Sequence, residues 1–160
     1  MLDRHWLDNG SGVVHMPDDE PEVVVPYINW LYTKTIAPYT DVEGDYVRLA
    51  RLYAFGERVE DDGFCDQVMT EITKGMDASH SYPAGPAIEV IYAGTPPGSL
   101  ARRFVVEVHA VKAQMDWFGG NKDPYPIEFM EDLVKHFVGH RPYMGQLSWH
   151  GERARWLKQN

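Results

Sequence analysis

The stretch "PDDEPEVVVPYINWLYTKTI", Pro17 to Ile36, sets four acids and three prolines before and within a dense apolar run. From Val23 onward, Val24, Ile28 and Leu31 recur at helical spacing, with Val23, Tyr27 and Trp30 on the adjoining line. Pro21 suits a first helical turn, where its missing N–H is not needed. Asp19, Glu20 and Glu22 favour the positive end of the helix dipole. Pro26 allows two readings, because inside a helix it removes one hydrogen bond and crowds the preceding turn. Either one helix runs through Pro26 with a kink, the reading preferred here, or "EVVV" is extended and the helix starts at Pro26.

On the N-terminal side, "VVHM", Val13 to Met16, has the make-up of a short strand. On the C-terminal side, "KTIAPYTDVEGD" is a turn-rich connector. A second helix is expected from Asp45 through "YVRLARLYAFGERV", with Tyr46, Leu49, Ala50 and Tyr53 on one face. A third shows Phe64, Val68 and Ile72 at strict fours, joined by Met69 and Met76. "ASHSYPAGP" is a loop, and a fourth helix carries Ile88, Ile91 and Tyr92 before "GTPPGS". Leu100, Phe104, Val108, Val111 and Met115 mark the apolar line of a fifth helix. Pro126 opens a sixth, with Ile127, Met130, Val134 and Phe137 inward. The tail "LSWHGERARWLKQN" is amphipathic, with Trp149, Trp156 and Leu157. The chain therefore reads as mainly α with one or two short strands.

Composition narrows the function class. Apolar residues make up 44 % of the 160 residues, enough for a real core in one domain of ordinary size. Fifteen Lys and Arg stand against 24 Asp and Glu, giving a formal charge of −9. That balance disfavours a nucleic-acid partner, since binding there rests on clustered cations. A lone cysteine, Cys65, cannot close an internal disulfide, which fits a reducing compartment. The start "MLDRHWLDNGSG" lacks the apolar segment of a secretory signal, and no apolar run reaches the ~20 residues of a membrane span. The expectation is a soluble cytoplasmic or nuclear protein, in which the sequon at Asn9 is accidental.

Few residues offer chemistry. "HFVGH" sets His136 and His140 four apart, with Asp132 a turn earlier, a spacing that can share a zinc ion. The glutamate that would stand beside the first histidine as base is replaced by Phe137, so two surface histidines near a helix end are the simpler reading. A small metal-dependent enzyme built on His136, His140 and Asp132 is the alternative function. Cys65 adjoins the Phe64 line and reads as a semi-buried thiol rather than a nucleophile. "GTPPGS" lacks the lysine and spacer of a phosphate loop, and Asp18, Asp19 and Glu20 lack calcium-loop spacing. Glu60, Asp61 and Asp62, like Arg102 and Arg103, read as solvated helix ends. No nucleophile, base and oxyanion set assembles, and no catalytic, cofactor or metal residue is assigned.

The ordered set of motifs is similar to the second half of a BTB/POZ domain, in particular the large fungal group of such proteins. A strand leads into an acid-acid-Pro-Glu entry and a helix ending in Tyr32-Thr33. A helix around "LYAFGE" and a further helix "FCDQVMTEITKGM" follow. "AIEVIYAGTPPGSLARRFVVEV" resembles the extension frequent in that group. The likeness runs from about His5 to Val111. It implies residues 1–78 as a truncated BTB/POZ-like domain and residues 79–160 as a helical extension packed on it as one unit.

What the resemblance implies is a non-catalytic protein–protein interaction module. Its expected roles are adaptor of a cullin-based ubiquitin ligase or self-association domain. Cullin-binding members use a hydrophobic-x-Glu motif before the third strand. The matching stretch here is Trp6-Leu7-Asp8, with Asp8 where those members carry Glu. Phe64 and Gln67 fall where the family's last helix helps to form the same groove. The family's first strands and helices have no counterpart, so the helix of Val24, Ile28 and Leu31 is expected to lose its usual cover. The helices after Pro126 could fold back over the gap, a second chain could cover it, or the product is a shortened one with reduced function.

Overall fold

The computed structural model describes residues 20–37, 42–118 and 125–142. Among these, six α-helices follow one another: α1 Pro21–Thr33, α2 Val42–Arg58, α3 Asp62–Ser79, α4 Gly85–Gly94, α5 Leu100–Lys112 and α6 Ile127–His140. A 3₁₀ turn, Met115–Phe118, follows α5. The described residues are mainly helical and contain no strand. The strand expected at Val13 to Met16, the stretch Trp6-Leu7-Asp8, the sequon at Asn9 and the tail with Trp149, Trp156 and Leu157 lie outside the described residues.

Within the opening stretch, Pro21–Thr33 form a single helix. Pro21 occupies its first turn beside the acid Glu22, and the helix runs through Pro26. The main-chain carbonyl of Glu20 accepts from Val23 N and Val24 N at 3.0 and 3.2 Å, closing the first turn. At the other end Lys34 adopts a left-handed conformation and donates its N–H to Trp30 O. Thr33 Oγ1 donates to Asn29 O at 2.8 Å, so "WLYT" closes the helix with both backbone and side-chain bonds. The inward line is Val23 and Trp30, both buried, with Tyr27 partly buried between them. Ile28 and Leu31 of the other line stand 45 % and 44 % exposed.

α2 lies at the centre, packed against α3 on one side and α4 on the other. Tyr46, Leu49, Ala50, Leu52, Tyr53 and Phe55 are all buried. Two glycines set how closely the helices approach. A Cβ at Gly56 would fall 2.6 Å from Cys65 Sγ and 3.1 Å from Phe64 Cδ1 of α3. A Cβ at Gly94, the last residue of α4, would fall 2.5 Å from Ala54 Cβ of α2. Real Cβ atoms do not approach so closely, so the "LYAFGE" pattern has a packing cause: Leu52 and Tyr53 fill the core while Gly56 lets α3 in. The faces of α3 and α4 match expectation, with Phe64, Val68 and Ile72 and then Ile88, Ile91 and Tyr92 buried.

α5 and α6 pack on each other and both meet α4. Here the expected faces are corrected. Leu100, Val111 and Met115 are 61, 76 and 91 % exposed, and the buried residues of α5 are Ala101, Arg102, Val105, Val106, Val108 and His109. On α6, Ile127, Val134 and Phe137 face outward, while Phe129 and Leu133 are buried. The small side chains of Ala101 and Val105 are buried in place of Leu100 and Val111. Phe129 completes an aromatic box around His109, with ring centroids 5.0 Å apart, together with Trp117 at 5.2 Å and Tyr125 at 5.6 Å.

Candidate functional site

Two places hold the residues singled out by sequence. The first is the outer side of α1 and its support. Tyr27, Trp30, Phe55 and Phe64 form one aromatic cluster: Tyr27 meets Phe55 at 5.2 Å and Phe64 at 5.0 Å, and Trp30 meets Phe64 at 5.3 Å. The Tyr27 hydroxyl donates to Asp61 Oδ2 at 3.0 Å, and Asp61 Oδ1 accepts from Phe64 N at 3.0 Å as the N-cap of α3. Burial, then this carboxylate, push the Tyr27 phenol up to about 12, so it remains a donor. Asp61 is thus a structural cap rather than one of three solvated acids. The cluster fixes α1 to α2 and α3 along its inner side. On the outer side Val25, Ile28, Leu31 and Tyr32 are 54, 45, 44 and 87 % exposed. Their positions step by three, three and one, which gathers them on one face of the helix.

Phe64 and Gln67 part company here. Phe64 is fully buried between Trp30, Tyr27 and Gly56, so it shapes a surface only from beneath. Gln67 is half-buried and donates to Glu71 Oε1 at 3.0 Å. Cys65 is buried, its Sγ 3.7 Å from Tyr53 O, and burial aided by nearby Glu57 pushes the thiol up to about 12. A thiol so held is a packing group and a poor nucleophile.

The second place is a groove of about 400 Å³ between α5 and α6 that brings together Arg102, Arg103, Glu107, Asp132, His136 and His140. α6 survives Gly139 and ends at His140, so the histidines do share a face, with rings stacked at 4.1 Å. His140 Nδ1 is bound to the carbonyl of His136 at 2.8 Å. Asp132 is already engaged: its Oδ2 accepts from the Tyr92 hydroxyl at 3.0 Å, and Lys135 Nζ lies 3.4 Å from Oδ1. Among the described residues, no group of three His, Cys, Asp or Glu side chains is placed to hold a metal ion. The alternative of a metal enzyme on His136, His140 and Asp132 therefore lacks a third converging ligand.

Arg102, expected as a solvated helix end, is 6 % exposed. Its guanidinium donates to Tyr92 O and Thr95 O, both at 2.6 Å, to Thr95 Oγ1 at 3.3 Å and to Glu128 Oε2 at 2.9 Å. It also lies 4.4 Å from the Tyr92 ring. Carbonyls at the end of α4 have no helical partner, and Arg102 satisfies them. "GTPPGS" provides the setting: Thr95 Oγ1 donates to Ile91 O, Gly98 takes a positive φ of 80°, and Ser99 Oγ accepts from Arg102 N as the cap of α5. This loop serves helix ends, as its lack of a phosphate-loop lysine implies.

Sequence reasoning missed His109, which is 1 % exposed. Its Nδ1 lies 2.9 Å from Val105 O and its Nε2 is buried without a hydrogen-bond partner. Burial lowers its pKa and keeps the ring neutral. A helical histidine four residues after Val105 gives no one-dimensional signal of this kind. Among the described residues, no helix is long and apolar enough to cross a membrane. Compared with known proteins, the chain matches no family model, no curated protein and no solved structure.

Proposed function

We propose that the chain is a non-catalytic protein–protein interaction module of the BTB/POZ type, acting through the outer face of α1. One observation carries this reading: Val25, Ile28, Leu31 and Tyr32 stand exposed together on a helix whose inner side is locked by the Tyr27, Trp30 and Phe64 cluster. Exposed apolar faces on a rigid support mark contact surfaces, because covering them removes apolar area from water at no cost in ordering the backbone. The sequence likeness to fungal BTB/POZ proteins supplies the candidate roles, docking to a cullin scaffold or self-association. The same likeness assigns Trp6, Leu7 and Asp8 to the docking motif and Phe64 and Gln67 to the helix that helps to form its groove.

Titration calorimetry with the N-terminal domain of a cullin, and sedimentation velocity of the chain alone, test both roles. The reading expects at least one association, weakened at least ~10-fold by Ile28→Glu or by Trp6→Ala, since buried aromatics dominate interfaces. No association with a cullin and a monomer at all concentrations would reject both roles. Association indifferent to both substitutions would reject the surface.

A further inference from the structure

His136 and His140 have no part in the α1 surface. Both lie in the last turns of α6, His136 half-buried and His140 exposed, with rings 4.1 Å apart and 22° from parallel. The helix runs on through Gly139, so the four-residue spacing sets both rings over one face. His140 Nδ1 lies 2.8 Å from the His136 carbonyl, and a carbonyl can only accept, so Nδ1 carries the proton. In the neutral ring Nε2 is then left with its lone pair. A backbone carbonyl on one ring nitrogen is a common way of fixing the tautomer of a metal-ligating histidine. Among the described residues, no other hydrogen bond and no ion pair engages either ring.

We infer that His136 and His140 chelate one divalent ion of the zinc, copper or nickel kind, in an exchangeable, non-catalytic site. Imidazole nitrogens select such ions over Mg²⁺ and Ca²⁺, which take oxygen ligands. Two nitrogens at ~2.0–2.1 Å from a tetrahedral ion stand about 3.3 Å apart, so rings already stacked at 4.1 Å close on one by a small tilt. The formal charges around the groove balance. Arg102 faces Glu128, Lys135 faces Asp132, and Arg103 and Glu107 are the remaining pair of opposite sign. The helix end decides the sign of the ligand. His140 is the last residue of α6, where carbonyls without a helical partner form the negative end of the dipole and favour a cation. The missing third protein ligand, which counts against a metal enzyme, leaves the other positions of the ion to water and makes the site an open one.

Titration calorimetry of the full chain with zinc chloride and with nickel chloride tests the inference. The expected result is a saturable site weakened at least ~10-fold by His136→Ala and at least ~10-fold by His140→Ala, since each removes one arm of the chelate. Hydrogen exchange adds a readout that histidines elsewhere in the chain would not move. An ion bridging one turn should slow exchange of α6 peptides, and the slowing should vanish in both variants. Peptides of α2, α3 and α4 should exchange alike in all three proteins, which shows that the fold is intact. Magnesium chloride should give no binding. Zinc binding indifferent to either substitution would overturn the inference by placing the ion on others of the chain's seven histidines. Magnesium that competes with zinc would overturn it too, by making Glu107 and Asp132 the site. So would a bound ion that leaves α6 exchange unchanged, or no saturable binding of either metal.

Discussion

Tyr27 and Asp61, 34 residues apart in the chain, are joined by a hydrogen bond of 3.0 Å from the phenol to Oδ2. The same carboxylate caps α3 through Phe64 N. One acid therefore ties the entry helix to the start of α3, and it fixes which side of α1 is left for solvent. Tyr27→Phe should cost ~1 kcal/mol, the usual net worth of one such bond. Asp61→Ala loses the bond and the cap together and should cost ~2 kcal/mol. Urea denaturation measures both. Equal losses from the two substitutions would mean that the cap contributes nothing.

Gly56 lets α2 and α3 touch. Gly56→Ala places a methyl 2.6 Å from Cys65 Sγ, which should destabilise by ~1–3 kcal/mol through overpacking. Cys65→Ala removes the sulfur, so the double variant should recover part of that loss, a coupling visible in a double-mutant cycle. A thiol pushed up to about 12 should also react with a disulfide reagent at pH 8 only as the chain opens. Rapid labelling of the native protein, or strictly additive losses, would contradict this packing.

The helices α2, α3 and α4 were legible in sequence because each presents one apolar line to close neighbours. Phe64, Val68 and Ile72 could hardly face elsewhere. α1, α5 and α6 each carry two apolar lines, and periodicity cannot rank them. The choice is made by fit: Trp30 and Tyr27 meet Phe55 and Phe64, and Phe129 meets His109. Ile28, Leu100, Val111 and Ile127 are more hydrophobic than some of the residues chosen, yet they stay outside. Arg102 was unreadable for a related reason. Its partners, the carbonyls of Tyr92 and Thr95, lie seven to ten residues away and converge only once α4 has ended beside α5.

His109 sets a pH limit. Burial depresses its pKa in the folded protein below the ordinary 6.5, so the unfolded chain binds the extra proton first. Stability from this group is complete above about 6.5 and falls as the pH drops from there toward the lowered folded value. Urea midpoints for the wild type should fall over that interval more steeply than for His109→Gln, which keeps an amide donor for Val105 O and has no proton to gain. Parallel profiles for the two proteins would show that the buried ring does not titrate in this way.

The central claim is that Ile28 and Leu31 belong to a contact surface and not to the core. Stability and association of Ile28→Glu/Leu31→Glu, measured on the same samples, test it most directly. With both side chains about half exposed on an outer helix face, the account predicts a stability change within ~0.5 kcal/mol, typical of surface sites, together with loss of self-association or cullin binding. A stability loss of ~3 kcal/mol or more with association intact would contradict it, because that is the response of buried packing residues.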